Sequence, residues 1–284
     1  MSPPPSPGGQ APATDVAASP APEAAARALR RVLRDGESDL VAIEEPLEIR
    51  VDGEAIAVTM RTPGHDEELA VGFLYGEGLI ERAPAVGLSE DLAANTIEVG
   101  GPLTREPAAR RFYTSSSCGV CGKGALEEVA VRCAPLSPGP RVARALLARL
   151  PEGLVQPGFA RTGGLHATGL FGLDGELLCV REDVGRHNAM DKVIGHALLA
   201  GRLPLAEALL CVSGRLSFEL VQKAALAGCP FLVGVGAPTS LAVELAAERA
   251  MTLCGFARRG GVNVYTGAER VLDQGLAAST AAAD

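Results

Sequence analysis

Two cysteines three residues apart, Cys118 and Cys121, stand in the run Thr114-Ser-Ser-Ser-Cys118-Gly-Val-Cys121-Gly122-Lys123-Gly124. The pattern predicts a short strand from Arg111 to Tyr113 before this run and a helix beginning near Ala125 after it. Both thiols are then expected at a helix N-terminus. Unpaired amides and the helix dipole favour thiolate there, Lys123 adds positive charge, and the glycines let a second atom approach the sulfur closely. A lone CxxC serves dithiol exchange, zinc binding or persulfide carriage, or is simply a pair of thiols packed in a turn. Thioredoxin-like exchange favours a pair after the first strand of a small domain, whereas this pair lies mid-chain among serines and glycines. Structural zinc needs four ligands, and no second CxxC or paired Cys/His stands at regular spacing, so no metal is expected. Persulfide carriage needs one exposed cysteine of low pKa, which the composition of this loop provides.

Zinc-dependent deamination of a nucleobase is a less favoured reading. Its signature is H-x-E followed by P-C-x-x-C, and His65-Asp66-Glu67 precedes the cysteine pair. Ser117 stands where the proline should be, however, and about fifty residues intervene where a compact site prefers fewer. His65 reads more simply as a residue before a helix, with Glu67 as a first-turn acid.

A second group of residues suits phosphate. Arg258-Arg259 beside Gly260-Gly261 offers guanidinium forks and open backbone amides. Three further turns are polar or glycine-rich: Glu182 to His187, Ser213 to Ser217 and Gly234 to Ser240. Each is expected to follow a strand, where α/β sheets bind ligands, and the three are expected to cluster. His187 and Asp191 face the same way if the helix after this turn starts one residue early. His187 reads either as a buried, hydrogen-bonded histidine or as a group that positions a ligand or protonates sulfur. His166 and His196 read as structural, and Arg215 and Lys223 have the reach for phosphate.

The elements that position these residues follow from periodicity. Leu47, Ile49 and Val51 alternate with polar residues, as do Ile56, Val58 and Met60, and Asp52-Gly53 between them predicts a hairpin. Asp66-Glu67-Glu68 predicts a helix start, with an end near Gly76 or Gly78. Ile97 and Val99 suggest a short strand, and a boundary is expected near Arg110-Arg111. From Leu165 a hairpin around Asp174-Gly175 is followed by helix 188–200, strand 208–212, helix 217–227, strand 231–235 and helix 240–253. This rhythm implies a largely parallel sheet covered on both faces. Met1 to Pro22 is almost entirely Ser, Pro, Ala and Gly, and a disordered tail is expected over residues 1–28.

The 284 residues carry a net charge of −8, which argues against bulk affinity for nucleic acid, so a polyphosphate needs a local basic site. No signal peptide or membrane span is visible, and a cytoplasmic location is expected. Five of the seven cysteines, Cys133, Cys179, Cys211, Cys229 and Cys254, lie in apolar settings that suit packed thiols in a reducing compartment.

The ordered motifs resemble one known family. Glu45-Pro46-Leu47, Thr62-Pro63, Glu68-Leu69-Ala70-Val71-Gly72-Phe73-Leu74, Glu77-Gly78 and Cys118-Gly-Val-Cys121-Gly122 are followed by Glu182-Asp183-Val184-Gly185-Arg186-His187-Asn188-Ala189-Met190-Asp191-Lys192, Ser213-Gly214-Arg215, Ala237-Pro238-Thr239-Ser240, Phe256-Ala257-Arg258 and Asn263-Val264-Tyr265-Thr266. Together, from about residue 38 to 267, they resemble the formate dehydrogenase accessory sulfurtransferases, the FdhD/NarQ-type proteins.

The resemblance implies an α/β protein with a smaller N-terminal α+β domain, 29–111. It also implies a C-terminal three-layer α/β/α domain, 112–284, similar to the cytidine deaminase fold and carrying the CxxC loop and the cofactor site. It implies transfer of sulfane sulfur from a cysteine desulfurase to the Mo-bis-molybdopterin guanine dinucleotide cofactor, for use by formate dehydrogenase. The persulfide role falls on Cys118, with Cys121 as an assisting or resolving thiol. Phe256-Ala257-Arg258-Arg259-Gly260-Gly261 corresponds to the cofactor-binding stretch, which would also hold a guanine nucleotide. The alternative is a non-catalytic chaperone that binds the guanine nucleotide of the molybdenum cofactor. Monomer and homodimer both remain open.

Overall fold

The computed structural model describes residues 28–89, 93–105 and 133–273. Strands β1 (Leu29–Arg34) and β2 (Glu37–Ala42) form a hairpin that the pattern analysis missed. Its local signal is Asp35-Gly36, whose positive φ values of 54° and 87° suit a tight two-residue turn. The next hairpin, β3 (Glu45–Val51) and β4 (Glu54–Arg61), is the expected one around Asp52-Gly53.

Helix α1 (Asp66–Gly76) starts and stops where the sequence places it. His65, at its N-cap, is left-handed and makes no side-chain cap, so the three first-turn acids are what complement the helix dipole. Strands β5 (Val86–Leu88) and β6 (Thr96–Val99) complete a small sheet of order β4-β3-β6-β5. Leu69 and Leu74 of α1 cover Leu47, Ile49, Val51, Ile97 and Val99 of this sheet.

After β7 (Val142–Ala143), α2 (Arg144–Arg149) and α3 (Pro157–Thr162), the hairpin β8 (His166–Gly172) and β9 (Leu177–Asp183) opens the larger sheet. It continues through α4 (Arg186–Leu199), β10 (Ala208–Val212), α5 (Phe218–Leu226), β11 (Phe231–Gly234), α6 (Ser240–Glu248), β12 (Thr252–Arg258) and β13 (Gly261–Thr266). A last short strand, β14 (Val271–Leu272), pairs with β7. The six-stranded order is β13-β12-β11-β10-β8-β9.

The class is the mixed α/β expected, with a correction to the sheet. Only β10, β11 and β12 run parallel to their neighbours in that series, while β8, β9 and β13 join antiparallel. Continuous apolar runs such as Ala208–Val212 are wholly buried because helices cover both faces of a central strand. Met190, Ile194, Leu220, Ala224, Ala242 and Ala246 of α4, α5 and α6 fill one face. Leu147 of α2, with Leu150 and Leu154 just beyond it, packs on the other against Phe171, Leu209 and Phe231.

A second correction concerns the expected helix 240–253. Helix α6 stops at Glu248, Ala250 turns left-handed at φ 53°, and Thr252 already pairs with Phe231 in β12. The alanine-rich segment has the propensity to continue as helix, but Leu253 and Cys254 fill slots in the sheet core, and that packing overrides propensity. No helix among the described residues is long and apolar enough to cross a membrane.

Candidate functional site

Beta-strands β9, β10, β11 and β12 end at one edge of the large sheet, and α4, α5 and α6 begin there. The three polar turns do cluster. Ser213 N donates to Ala167 O at 2.9 Å, and Ala167 N donates to Ser213 Oγ at 2.9 Å. Gly236 N reaches Gly214 O at 3.0 Å, Leu216 N reaches Ala237 O at 3.0 Å, and Phe256 N reaches Gly236 O at 3.1 Å. Gly236 permits this approach, since a Cβ there would lie 3.0 Å from Gly214 O and from Arg215 Cα. The carboxyl edge of such a sheet, lined by helix N-termini, suits an anionic ligand.

The proposed cofactor stretch forms the turn between β12 and β13 beside this cluster. Phe256, Arg258, Arg259, Gly260, Gly261, Val262 and Asn263 line a shallow depression. Phe256 is 42% exposed and left-handed at φ 53°, an uncommon conformation for a bulky residue. A shift of strand register between Gly255 and Arg258 accompanies it. Arg258 and Arg259 are exposed, whereas the Ala257 side chain is buried in the sheet core. Cys118 and Cys121 lie outside the described residues.

The turn from Glu182 to His187 is held from below. Asp183, wholly buried, pairs with Lys192 Nζ at 2.7 Å and accepts from Thr62 N at 3.1 Å, Gly185 N at 2.8 Å and Asn188 Nδ2 at 3.0 Å. Lys192 Nζ donates to Thr62 O at 2.9 Å, and Asn188 Nδ2 to Met60 O at 2.8 Å. Every strong polar atom of this buried set has partners, and it fastens the end of β4 to the start of α4.

Helix α4 does include His187, beginning one residue earlier still. His187 Nε2 lies 2.9 Å from Glu219 Oε2 and 3.2 Å from Ser217 Oγ. Its hydrogen bond holds the Glu219 carboxyl below its usual range. Asp191, one turn on, pairs instead with Lys223 at 2.7 Å, and burial pushes it up to about 6 against the pull of that cation. Lys223 is therefore not available to phosphate: it is buried between Asp191 and Glu77, over the Phe73 ring. Arg215 is exposed at the edge.

His196 is structural, as expected, in a cluster that sequence reasoning missed. Its Nδ1 lies 3.1 Å from Glu68, which also receives a two-pronged contact from Arg181 at 2.5 and 2.7 Å. His65 Nδ1 stands 3.3 Å from the same carboxylate, with Asp66 turned toward Arg61 at 3.0 and 2.9 Å. No local pattern announces a cluster assembled from β9, α1 and α4. Among the described residues no group of three or more His, Cys, Asp or Glu side chains is arranged to hold a metal ion. Cys179, Cys211, Cys229 and Cys254 are buried free thiols whose pKa burial raises, to about 12 for Cys229 and Cys254, so they are inert packing.

Comparison with known proteins finds relatives along most of the chain. A family model described as the FdhD/NarQ family matches residues 42–272. A sulfur carrier protein FdhD from Streptomyces coelicolor is 49% identical over 262 residues, covering 84% of this chain and 93% of that protein. One from Mycolicibacterium paratuberculosis is 50% identical over 250 residues, covering 82% and 92%. The crystal structure of a formate dehydrogenase accessory protein from Desulfotalea psychrophila superposes with a TM-score of 0.69 at 30% identity, covering 86% of this chain and 98% of that one. On the match over residues 42–272, the chain belongs to the FdhD/NarQ family.

Proposed function

We propose that this protein is a sulfur carrier in the formate dehydrogenase system, with Cys118 as the carrying residue. Supporting the general role are relatives named sulfur carrier protein FdhD at nearly half identity along most of the chain. The Cys118 thiolate attacks the terminal sulfur of a cysteine desulfurase persulfide, and the desulfurase cysteine leaves as thiolate. The new Cys118 persulfide then holds sulfur at the oxidation level of the element. Attack by Cys121 on the Cys118 Sγ breaks the bond to the outer sulfur, releases that outer atom as sulfide and leaves a Cys118–Cys121 disulfide, so the two thiols supply both electrons. A cellular dithiol then reduces the disulfide.

The recipient in this reading is the molybdenum of Mo-bis-molybdopterin guanine dinucleotide, bound as substrate. The observation that carries it is the sheet edge itself. On an acidic chain, the exposed pair Arg258-Arg259 stands on the same carboxyl edge of the sheet as the starts of α4, α5 and α6, a combination suited to phosphates of a dinucleotide. Incubation with a desulfurase and cysteine, followed by mass spectrometry, tests the reading. A carrier gains about 32 Da on a peptide containing Cys118. A chaperone that only binds the guanine nucleotide gains none.

A further inference from the structure

Two side chains that can carry positive charge, Arg186 and His166, converge at the start of α4, beside the Glu219-paired His187. A Cβ placed on Gly214 would lie 3.4 Å from His166 Nδ1 and 3.8 Å from Arg186 Cδ, so both side chains close on the same turn. Arg186 Nε is buried and has no hydrogen-bond partner among the described residues. Burial first, then Arg186 and His187, lower the pKa of His166, while the Asp183 carboxylate pulls it the other way.

None of the neighbouring carboxylates makes a hydrogen bond to Arg186 or His166 among the described residues. Asp183 is taken by Lys192, Asn188 and the Gly185 amide. Glu182 turns away to accept from Gly158 N and Phe159 N, each at 2.8 Å. Glu219 pairs with His187.

The backbone around this cluster is also short of acceptors. Helix α4 opens on Gly185, which has no side chain to cap it. Helix α5 opens on Ser217, whose hydroxyl contacts His187 and caps nothing. Helix α6, by contrast, is capped by Thr239 accepting from Ala242 N at 3.3 Å. A buried unpaired guanidinium nitrogen costs stability unless an acceptor reaches it, and two uncapped helix starts face the same need.

We propose that Arg186, His166 and the first amides of α4 and α5 form a binding position for a tetrahedral oxyanion, a phosphate or pyrophosphate group, separate from the Arg258–Arg259 turn. Its equation with a phosphate of the dinucleotide substrate rests on the function proposed above, but the site itself does not. A dinucleotide lying along the sheet edge would then be held at two places, one exposed and one half-buried.

Calorimetry on the full chain with inorganic pyrophosphate, and separately with GDP, tests the proposal. Arg186→Gln is expected to weaken pyrophosphate at least tenfold, with partial recovery in Arg186→Lys, and His166→Gln to weaken it severalfold. Amide shifts of Gly214, Arg186 and Ser217 on titrating the unsubstituted chain give a readout that needs no variant to fold. No pyrophosphate binding, unmoved amides at these positions, or loss on Arg258→Ala with none on Arg186→Gln would each overturn the site. Weakening of pyrophosphate by Arg186→Gln with GDP unaffected would retain the oxyanion site but assign it to free phosphate. Persulfide formation on Cys118 is measured independently: its absence alongside Arg186-dependent pyrophosphate binding sinks the carrier reading and leaves this site standing.

Discussion

Gly72 of α1 and Gly195 of α4 meet where no side chain fits. A Cβ on Gly72 would lie 1.9 Å from Asp191 O, and one on Gly195 would lie 1.9 Å from Glu68 O. This contact sets the helix that carries the ligand-edge residues 186–192 against the helix that covers the small sheet, backbone to backbone. Gly195→Ala must push the helices apart, at about 3 kcal/mol. A fall of roughly 6–12 °C in melting temperature is expected for a chain of this size. Thermal unfolding followed by circular dichroism reads it, and an unchanged midpoint would mean that the helices do not cross this closely.

Glu68 makes stability fall in acid. Burial alone would raise its pKa, but the hydrogen bonds from Arg181, His196 and His65 overcome this and hold the carboxyl well below the usual carboxylate range. A depressed folded pKa contributes stability above the unfolded value of about 4.3, and this is lost as pH falls below it. Glu68→Gln is expected to cost about 3 kcal/mol at neutral pH and to flatten the acid limb of a stability–pH curve from urea melts. Parallel curves for the two proteins would contradict the assignment.

Arg258 is exposed, so its contribution to nucleotide binding is open to screening. Arg258→Ala is expected to weaken GDP about tenfold at low salt and much less near 1 M salt, with the fold unchanged. Calorimetry at two ionic strengths measures both effects. Equal affinity at low salt removes this arginine from the site.

The two cysteines have unequal roles in the proposed cycle. Cys118→Ser is expected to abolish the sulfur adduct and the activation of formate dehydrogenase, since a hydroxyl near neutral pH is neither ionised nor able to hold sulfane sulfur. Cys121→Ser should still accept sulfur, with a longer-lived adduct because no resolving thiol attacks it. The reverse pattern in the mass spectra would exchange the two assignments.

Local chemistry in the chain was enough to place most elements. Asp52-Gly53 and Asp174-Gly175 announce hairpins, three acids open α1, and uninterrupted apolar runs mark β10 and β11, because turn geometry, helix dipoles and two-sided burial act on neighbours in sequence. The clustering of the three polar turns was legible for the same reason, as each follows a strand of one sheet. What the local pattern misjudged was settled by distant contacts. The segment after Glu248, Arg249-Ala250-Met251, suits a helix, yet the chain turns into β12 because β11 and β13 leave a strand's place between them. Lys223 looked able to reach phosphate, and only the approach of α1 and α4 shows it locked between Glu77 and Asp191. Pairings such as Glu68 with Arg181, or Thr62 with Asp183, join residues more than a hundred positions apart. Their energy comes from burial together, which no local pattern encodes, so the motifs themselves were decided by sequence while the framework that brings them to one edge was decided by tertiary packing.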